Sequence, residues 1–500
     1  MEAGLSLWII PKMTTVSNKW KDRSPGERAV DLLVLLLSAA MVAYATIVHE
    51  PWLDEAQHWC LARDSSTLAD LWRNTAGEGH PPLWHWTLWL ITRFTTDLRA
   101  MHDVHALMAI GSIGLLVFAS PLPRWVRWLA PFGYFLAYEY AAIARNYTPA
   151  VLLLFVVCAL HRDRKWWWRI VALALLALTH YWGLVAACAY LVAGTLSVTN
   201  DRGRMEGTQF LLFLPFALLS AIRIWPAAGS PYGIDSEGLF SGQRLGSTLV
   251  QLGQAWWPWA NGAADHPWNG HLLLPAYPIA LAAAGVILSA LAYFTLPRHR
   301  GAQVFFILTM AGVLLFPWLT GDRGIRYTGP VLIAWLAAQW MAAGDPIQPI
   351  RRRLDLKTAG LLVIQVIGTA IMLPVEFDRA FSNGRALVQA VRANGLGDLP
   401  VVEARYTAGP VISALIGRPV YYPTMGHEGS WCRWSRTPFT TEDEALAGGM
   451  AGFPADRSVL FTSHPVPASA FPGAKLSPIA CANGGMIDHE DGCATLVERR

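Results

Sequence analysis

The chain has 500 residues, of which 54% are hydrophobic and only 15% charged, with a mean hydropathy of +0.33 and a formal net charge of +4. Soluble domains carry about 25% charged residues, so this deficit excludes an ordinary water-soluble globule and points to lipid as solvent for much of the chain. The basic residues are spread among loops rather than gathered on one face, which gives no footing for nucleic acid.

Residues 1–29 read as a cytoplasmic N-terminal segment. The first apolar run lies too far in, and lacks the small-residue cleavage site, for a removable signal peptide. Apolar runs then recur near 30–48, 103–120, 126–143, 147–160, 170–180, 182–197, 208–225, 271–296, 302–319, 328–344 and 358–374. A spanning helix needs about 20 mostly apolar residues, so these predict about eleven transmembrane helices, several of them short. Trp residues cluster at run ends, as in Trp166-Trp167-Trp168 and Trp256-Trp257-Pro258-Trp259, where amphipathic rings anchor to membrane lipids at headgroup depth.

Loop charges set the orientation. Lys19, Lys21, Arg23 and Arg28 precede the first run. Arg124 and Arg127, then Arg162, Arg164, Lys165 and Arg169, then Arg202 and Arg204, then Arg298 and Arg300, and last Arg351-Arg352-Arg353 with Lys357, fall in alternate loops. All face the cytoplasm if the N-terminus does, which leaves the C-terminus outside. The segment Leu83–Phe94 is apolar but only about a dozen residues long, the length of an interfacial piece. Leu83, Trp86, Leu90 and Phe94 share one helical face, with His85, Trp89 and Thr92 on another. Counting it as a span would invert everything after it, so it is expected to lie along the outer surface within a first outer loop of about 49–102.

After Pro374 the composition becomes that of a soluble domain, and 376–500 is expected to form a small extracytoplasmic α/β domain. Strands are predicted at 400–404, 419–422, 459–462 and 494–497, with a short helix near Pro410–Ile416. Of the six cysteines, Cys432, Cys481 and Cys493 lie here, and Cys481–Cys493 is the nearest pair for a disulfide. The multispanning body is thus assigned to 30–375.

Several polar groups fall on the outer side in this topology. Asp54, Glu55 and His58 follow the first span; Gly79-His80-Pro81-Pro82 closes the first loop; Arg145-Asn146-Tyr147 and His180-Tyr181 lie between later runs. Asp322, Arg323, Arg326 and Tyr327 follow the ninth, while Glu139 sits inside the third. Carboxylates and cations at one face suit displacement of a phosphate leaving group by an activated hydroxyl: a carboxylate takes the proton, and guanidiniums hold the charge developing on phosphate. Each residue also fits a plainer role. The acids could solvate a helix end, His180 could cap a helix at the interface, Arg145 could snorkel to headgroups, and Glu139 could face outer water.

Taken in order, these segments resemble the membrane glycosyltransferases of the GT-C superfamily that use polyprenyl-phosphate sugars, which include protein O-mannosyltransferases and lipid A aminoarabinose transferases. Asp54-Glu55-Ala56 is similar to the family's Asp-Glu motif, Gly79-His80-Pro81-Pro82-Leu83 to its Pro-Pro-Leu segment, Ala144-Arg145-Asn146-Tyr147 to its Arg-x-Tyr element, Leu178-Thr179-His180-Tyr181 to its Thr-His-Tyr element, and Arg326-Tyr327 with Pro330 to its late Arg-Tyr element. The match covers roughly residues 30–330.

The resemblance implies surface helices in the first outer loop and an inverting transfer, in a bacterial inner membrane, from a polyprenyl-phosphate sugar to a hydroxyl of a glycan, lipid or protein on the extracytoplasmic face. Asp54 matches the catalytic base, with Glu55 orienting it or holding a cation. Arg326, His80, Arg145 and Arg323 are the expected donor-phosphate ligands, although the family often has Lys where His80 stands. His58, Tyr147, His180, Tyr181, Glu139 and Tyr327 are the expected substrate contacts. A divalent cation occurs in some relatives, and Asp54 with Glu55 would be its ligands here. Two rival readings are a lipid-linked glycan transporter or flippase, which calls for ionisable groups at many depths and internal repeats, and a non-catalytic polysaccharide-assembly subunit.

Overall fold

The computed structural model describes residues 20–161, 166–195, 200–226, 233–236, 238–343, 355–423, 425–434, 442–447, 453–487 and 490–499, with the backbone alone at 200–206 and 443–444. Lys19, Arg162, Arg164, Lys165, Arg351, Arg352 and Arg353 lie outside these residues, as do the side chains of Arg202 and Arg204.

The helices used below are α1 (Pro25–Val48), α2 (Leu53–Asp64), α3 (Leu68–Asn74), α4 (Leu83–Thr92), α5 (Arg99–Gly114), α6 (Tyr147–Ala159), α7 (Trp166–Ala177), α8 (Tyr181–Thr195), α9 (Asn200–Ile224), α10 (Gly242–Trp256), α11 (Pro278–Thr295), α12 (Arg300–Thr320), α13 (Pro330–Ala343) and α14 (Leu356–Asp378). Among the described residues, six segments are long and apolar enough to cross a membrane: α1, α5 with its continuation to Ala119, the Gly207–Ile224 part of α9, α11, α12 and α14. Helices α6, α7 and α8 are apolar but shorter, and α13, also short, is buried along nearly its whole length. The run at 126–143 is not one helix. It breaks into Arg124–Leu129, a 3₁₀ turn over Ala130–Phe132, a π-helical turn over Phe135–Glu139 and a last turn at Tyr140–Ala142. Pro131 and Gly133 interrupt the hydrogen-bond ladder there, and the segment is packed inside protein, where irregular backbone is tolerated at membrane depth.

Helix α1 shows why these segments form. Ser24 caps it by accepting from Glu27 N–H at 3.2 Å, and Pro25 occupies the first turn, where no donor is lost. Its outward row, including Leu32, Leu33, Leu36 and Leu37, is exposed in the protein and so suited to lipid, while Val34, Ser38, Val42 and Ala45 pack inward. Helix α10 was not foreseen, because Gln243, Arg244, Gln251 and Gln254 dilute its apolar character. It packs so closely on α11 that a Cβ at Gly253 would strike the carbonyl of Leu281, the small-residue contact typical of membrane helix pairs.

Helix α4 turns Trp84, His85 and Leu88 into the protein and leaves Leu90 57% and Phe94 84% exposed. The outward edge of this short segment is therefore apolar.

Beyond α14, helices α15 (Gly384–Ala393) and α16 (Gly409–Ile416) pack with a six-stranded sheet. Its strands are β1 (Val401–Glu403), β2 (Val420–Tyr422), β3 (His427–Gly429), β4 (Arg457–Thr462), β5 (Ala474–Ala482) and β6 (Gly492–Arg499), in spatial order β3-β2-β1-β4-β6-β5. β1 runs parallel to β2 and β4, and the remaining pairs are antiparallel. All four expected strands are present, and β5 carries Cys481 opposite Cys493, to which it is disulfide-bonded. The sheet domain docks on α2. Gln57 exchanges two 2.8 Å hydrogen bonds with the Cys432 backbone, Arg63 donates to Ser413, and Glu490 accepts from Leu53 N–H at 2.6 Å.

Candidate active site

Asp54 stands in the first turn of α2, where the helix dipole favours a carboxylate. It forms ion pairs with Arg145 and with Arg326, the second at 3.4 Å, and its side chain keeps 22% exposure. The guanidinium of Arg326 lies 5.0 Å from the Trp52 ring centroid, 5.2 Å from that of Trp268 and 4.9 Å from that of Tyr327, an aromatic cage that fixes a cation electrostatically. Its Nη2 donates to Tyr327 OH at 2.9 Å, and Tyr140 OH donates to its carbonyl at 2.7 Å. Arg145 leaves the broken 124–142 segment just before α6. Asn146 anchors that turn by donating to the Thr179 carbonyl at 3.1 Å, which draws His180 and Tyr181 to the same place.

These groups open on a cavity of about 390 Å³. Asp54, His58, His80, Arg145, Tyr147, His180, Tyr181, Arg326 and Tyr327 all line it, so nine of the twelve residues singled out from sequence converge. Leu184, Ile224, Trp225 and Phe316 give it an apolar stretch of wall, and Gln57, Glu78, Thr320 and Asp322 add further polar lining. Arg326 Nη1, Arg145 Nε and the Tyr147 hydroxyl are buried without an acceptor among the described residues. Buried donors are nearly always satisfied, so this concentration marks a place built for an anion or polar ligand.

No family model and no curated protein matches the chain. Among solved structures it is similar to ArnT from Cupriavidus metallidurans in the apo state, with a TM-score of 0.52 and 13% identity over 94% of this chain and 98% of that one. It is equally similar to ArnT bound to undecaprenyl phosphate, with a TM-score of 0.52 and 13% identity over 95% and 98% of the two chains. The chain has an ArnT-like fold. The likeness runs nearly end to end and takes in the sheet domain as well as the helices.

Within this ArnT-like fold three expected site residues fall away from the cavity. Glu55 is fully buried behind Asp54. One carboxylate oxygen accepts from Ala144 N–H, and the other meets His49 Nε2 at 3.0 Å and Trp52 N–H at 3.2 Å. His49 in turn meets Glu376 at 2.7 Å through Nδ1, and Tyr138 OH donates to Glu376 at 2.6 Å. Burial alone would lower the pKa of His49, but Glu55 and Glu376 outweigh it and push it up to about 10. Burial would likewise raise Glu55, yet His49 and His102 hold it down to about 2. Glu55 therefore pins Ala144, the residue before Arg145, and orients the site from behind. Glu139 accepts from Tyr134 OH at 2.9 Å and Trp268 Nε1 at 3.3 Å, so it steadies a wall of the Arg326 cage rather than facing a ligand. Arg323 is exposed and lines separate depressions with Gln243 and Arg244.

His80, whose charge the sequence left open, reaches the cavity in an environment that disfavours the imidazolium. Burial, with Arg145 and His180 nearby, pushes its pKa well below the ordinary imidazole value, and Arg145 Nη2 lies 3.2 Å from its Nε2. It is a neutral acceptor for Arg145 and not a second cation. A divalent ion held by Asp54 and Glu55 does not fit either, since two guanidiniums already occupy Asp54 and both Glu55 oxygens are taken.

Sequence reading missed Glu78 and Trp434 in the cavity wall. Glu78 lies two residues before His80 between Gly77 and Gly79, whose positive φ values of 103° and 68° turn the loop inward. Nothing in its local sequence marks it. Trp434 comes from the sheet domain, and only tertiary docking brings it in.

Proposed function

We propose that this chain is an integral-membrane glycosyltransferase that moves a sugar from a polyprenyl-phosphate donor to an acceptor hydroxyl, with inversion at the anomeric carbon and the cavity facing the extracytoplasmic side. The observation that carries this reading is the Asp54 carboxylate held between Arg145 and Arg326 in a cavity that also has an apolar stretch of wall at Leu184, Ile224, Trp225 and Phe316. An isoprenoid phosphate needs both parts: guanidiniums for its head and an apolar lining for its chain. The ArnT-like fold, known with undecaprenyl phosphate bound in that relative, supports the same class.

The ion pairs suggest an order of events. A donor phosphate that takes over Arg326 and Arg145 frees the Asp54 carboxylate from its ion pairs to meet the acceptor hydroxyl. The acceptor oxygen then attacks the anomeric carbon, its proton passes to Asp54, and the bond from that carbon to the phosphate oxygen breaks. The electron pair leaves on the polyprenyl phosphate, whose growing charge the two arginines hold. His180 and Tyr147, with ring centroids 4.4 Å apart, line the space beside that phosphate and suit the sugar.

The test is transfer from a polyprenyl-phosphate sugar by purified protein, alongside binding of the polyprenyl phosphate. Asp54→Asn should bind the lipid while losing turnover. Loss of neither would remove Asp54 from the mechanism, and failure of the wild-type protein to bind any polyprenyl phosphate would remove the reading itself.

A further inference from the structure

Beside the cavity, three potential metal ligands converge from three elements: His58 on α2, Glu78 in the loop after α3, and His85 on α4. One ligand atom from each lies within 4.8 Å of the other two. The His58 and His85 rings meet edge to face with centroids 4.5 Å apart. His58 Nδ1 and both ring nitrogens of His85 are buried without a hydrogen-bond partner among the described residues. Three unsatisfied imidazole nitrogens beside a carboxylate are costly to bury for packing alone.

We propose that His58, Glu78 and His85 form a transition-metal site, for which Zn²⁺ is the best-suited ion. Two imidazoles and one carboxylate are a borderline-soft donor set that favours zinc over magnesium or calcium, and three protein ligands leave a fourth position open. His58 and Glu78 also line the cavity, so the open position lies on that side. Arg145 and Arg223 lie near enough to oppose a cation. Arg145 is paired to Asp54, Arg223 is turned to Thr75 and Trp72, and Glu78 supplies one compensating charge. Glu78 and His85 flank the 79–82 loop, while His58 stands one turn beyond Asp54. A bound ion would therefore tie the loop that carries His80 to the helix that carries Asp54, with no part in proton transfer.

The test reads the metal and not transfer, so its result is separate from that of the proposed reaction. Full-length protein stripped with chelator and reloaded with zinc should retain about one ion per chain after desalting. His85→Gln and Glu78→Gln should each lose most of it, and His427→Gln, at an exposed strand residue, should keep it. Zinc should also raise the melting temperature of stripped wild-type protein by a few degrees, as ligand linkage requires. That measurement needs no variant, and it stands if the substituted proteins fail to fold. Absence of both retained zinc and the melting shift in wild-type protein, or equal zinc in wild type, His85→Gln and Glu78→Gln, would overturn the site.

Discussion

Among the described residues, the acid–arginine clusters around Asp31 and around Asp54 differ in what is left over. Around Asp31 on α1 nothing is. Arg23 donates to it at 2.6 Å, Arg127 at 3.0 and 3.1 Å, and Trp128 Nε1 at 2.9 Å. The two arginines place other N–H groups on the carbonyls of Val117, Phe118, Ser120 and Leu122 or on Glu27. Around Asp54 the same residue types leave donors without acceptors, and an open cavity adjoins them. The saturated cluster holds helices together. The unsaturated one is the cluster on which the proposed function rests, and unmet hydrogen bonding, more than the presence of charge, is what sets it apart from a staple.

The sharpest way to break this contrast is paired substitution. Asp54→Asn should lower transfer by about 10²–10⁴-fold, the scale of general-base catalysis, with little change in melting temperature. Asp31→Asn should do the opposite, costing about 3–5 kcal/mol of stability by leaving two buried guanidiniums short of a partner, with turnover per folded molecule near normal. If the two variants behave alike in melting and in transfer assays, the distinction fails.

The His49 triad supplies a second saturated cluster of similar size. His49→Gln should cost about 3 kcal/mol or more, because Glu55 and Glu376 would then face each other without a cation. The pH dependence follows from the shifts. His49 is raised in the fold, so its contribution is complete below its ordinary value of 6.5 and is lost as pH rises through about 10. Glu55 is lowered, so its contribution holds above its ordinary value of 4.5 and is lost as pH falls through about 2. Melting curves of His49→Gln should therefore converge on those of the wild type at high pH and diverge near neutrality.

Smaller effects sharpen the picture. Arg326→Lys should keep a charge within the aromatic cage but lose the fork that binds phosphate bidentately, for a loss in donor binding of about tenfold, read by lipid-phosphate titration. Arg323→Ala should change transfer less than about twofold, as expected of an exposed residue outside the cavity.

Much of this was legible in the chain. Apolar runs marked the membrane helices because lipid demands long unbroken hydrophobicity, and short alternating segments bounded by turn residues marked β1, β2, β4 and β6. The convergence of Asp54, His80, Arg145, His180 and Arg326 followed from placing alternate loops on one side. What stayed hidden was hidden for physical reasons. The 126–143 run has the composition of a helix, but composition does not show that Pro131 and Gly133 would break it. Helix α10 is half polar because Gln251 and Gln254 serve the backbone of the 322–324 and 269 turns. Glu55 and Asp54 are adjacent in sequence and alike in chemistry, but consecutive helical positions point about 100° apart, so one faces the cavity and the other the core. The lowered pKa of His80 comes first from burial and then from Arg145, 65 positions away, neither of which its local sequence shows.

The docking of the sheet domain on α2 bears on how the molecule can be divided. The first free N–H of the helix that carries Asp54 is satisfied by Glu490, and Gln57, one turn further on, is held by Cys432. The helix that carries Asp54 thus borrows part of its termination from residues more than 370 positions downstream. Cut between α14 and the sheet, the chain would not yield a working core and a spare accessory. The helix bearing Asp54 would lose an end cap and a brace at once, and modularity apparent in the composition would be absent from the packing.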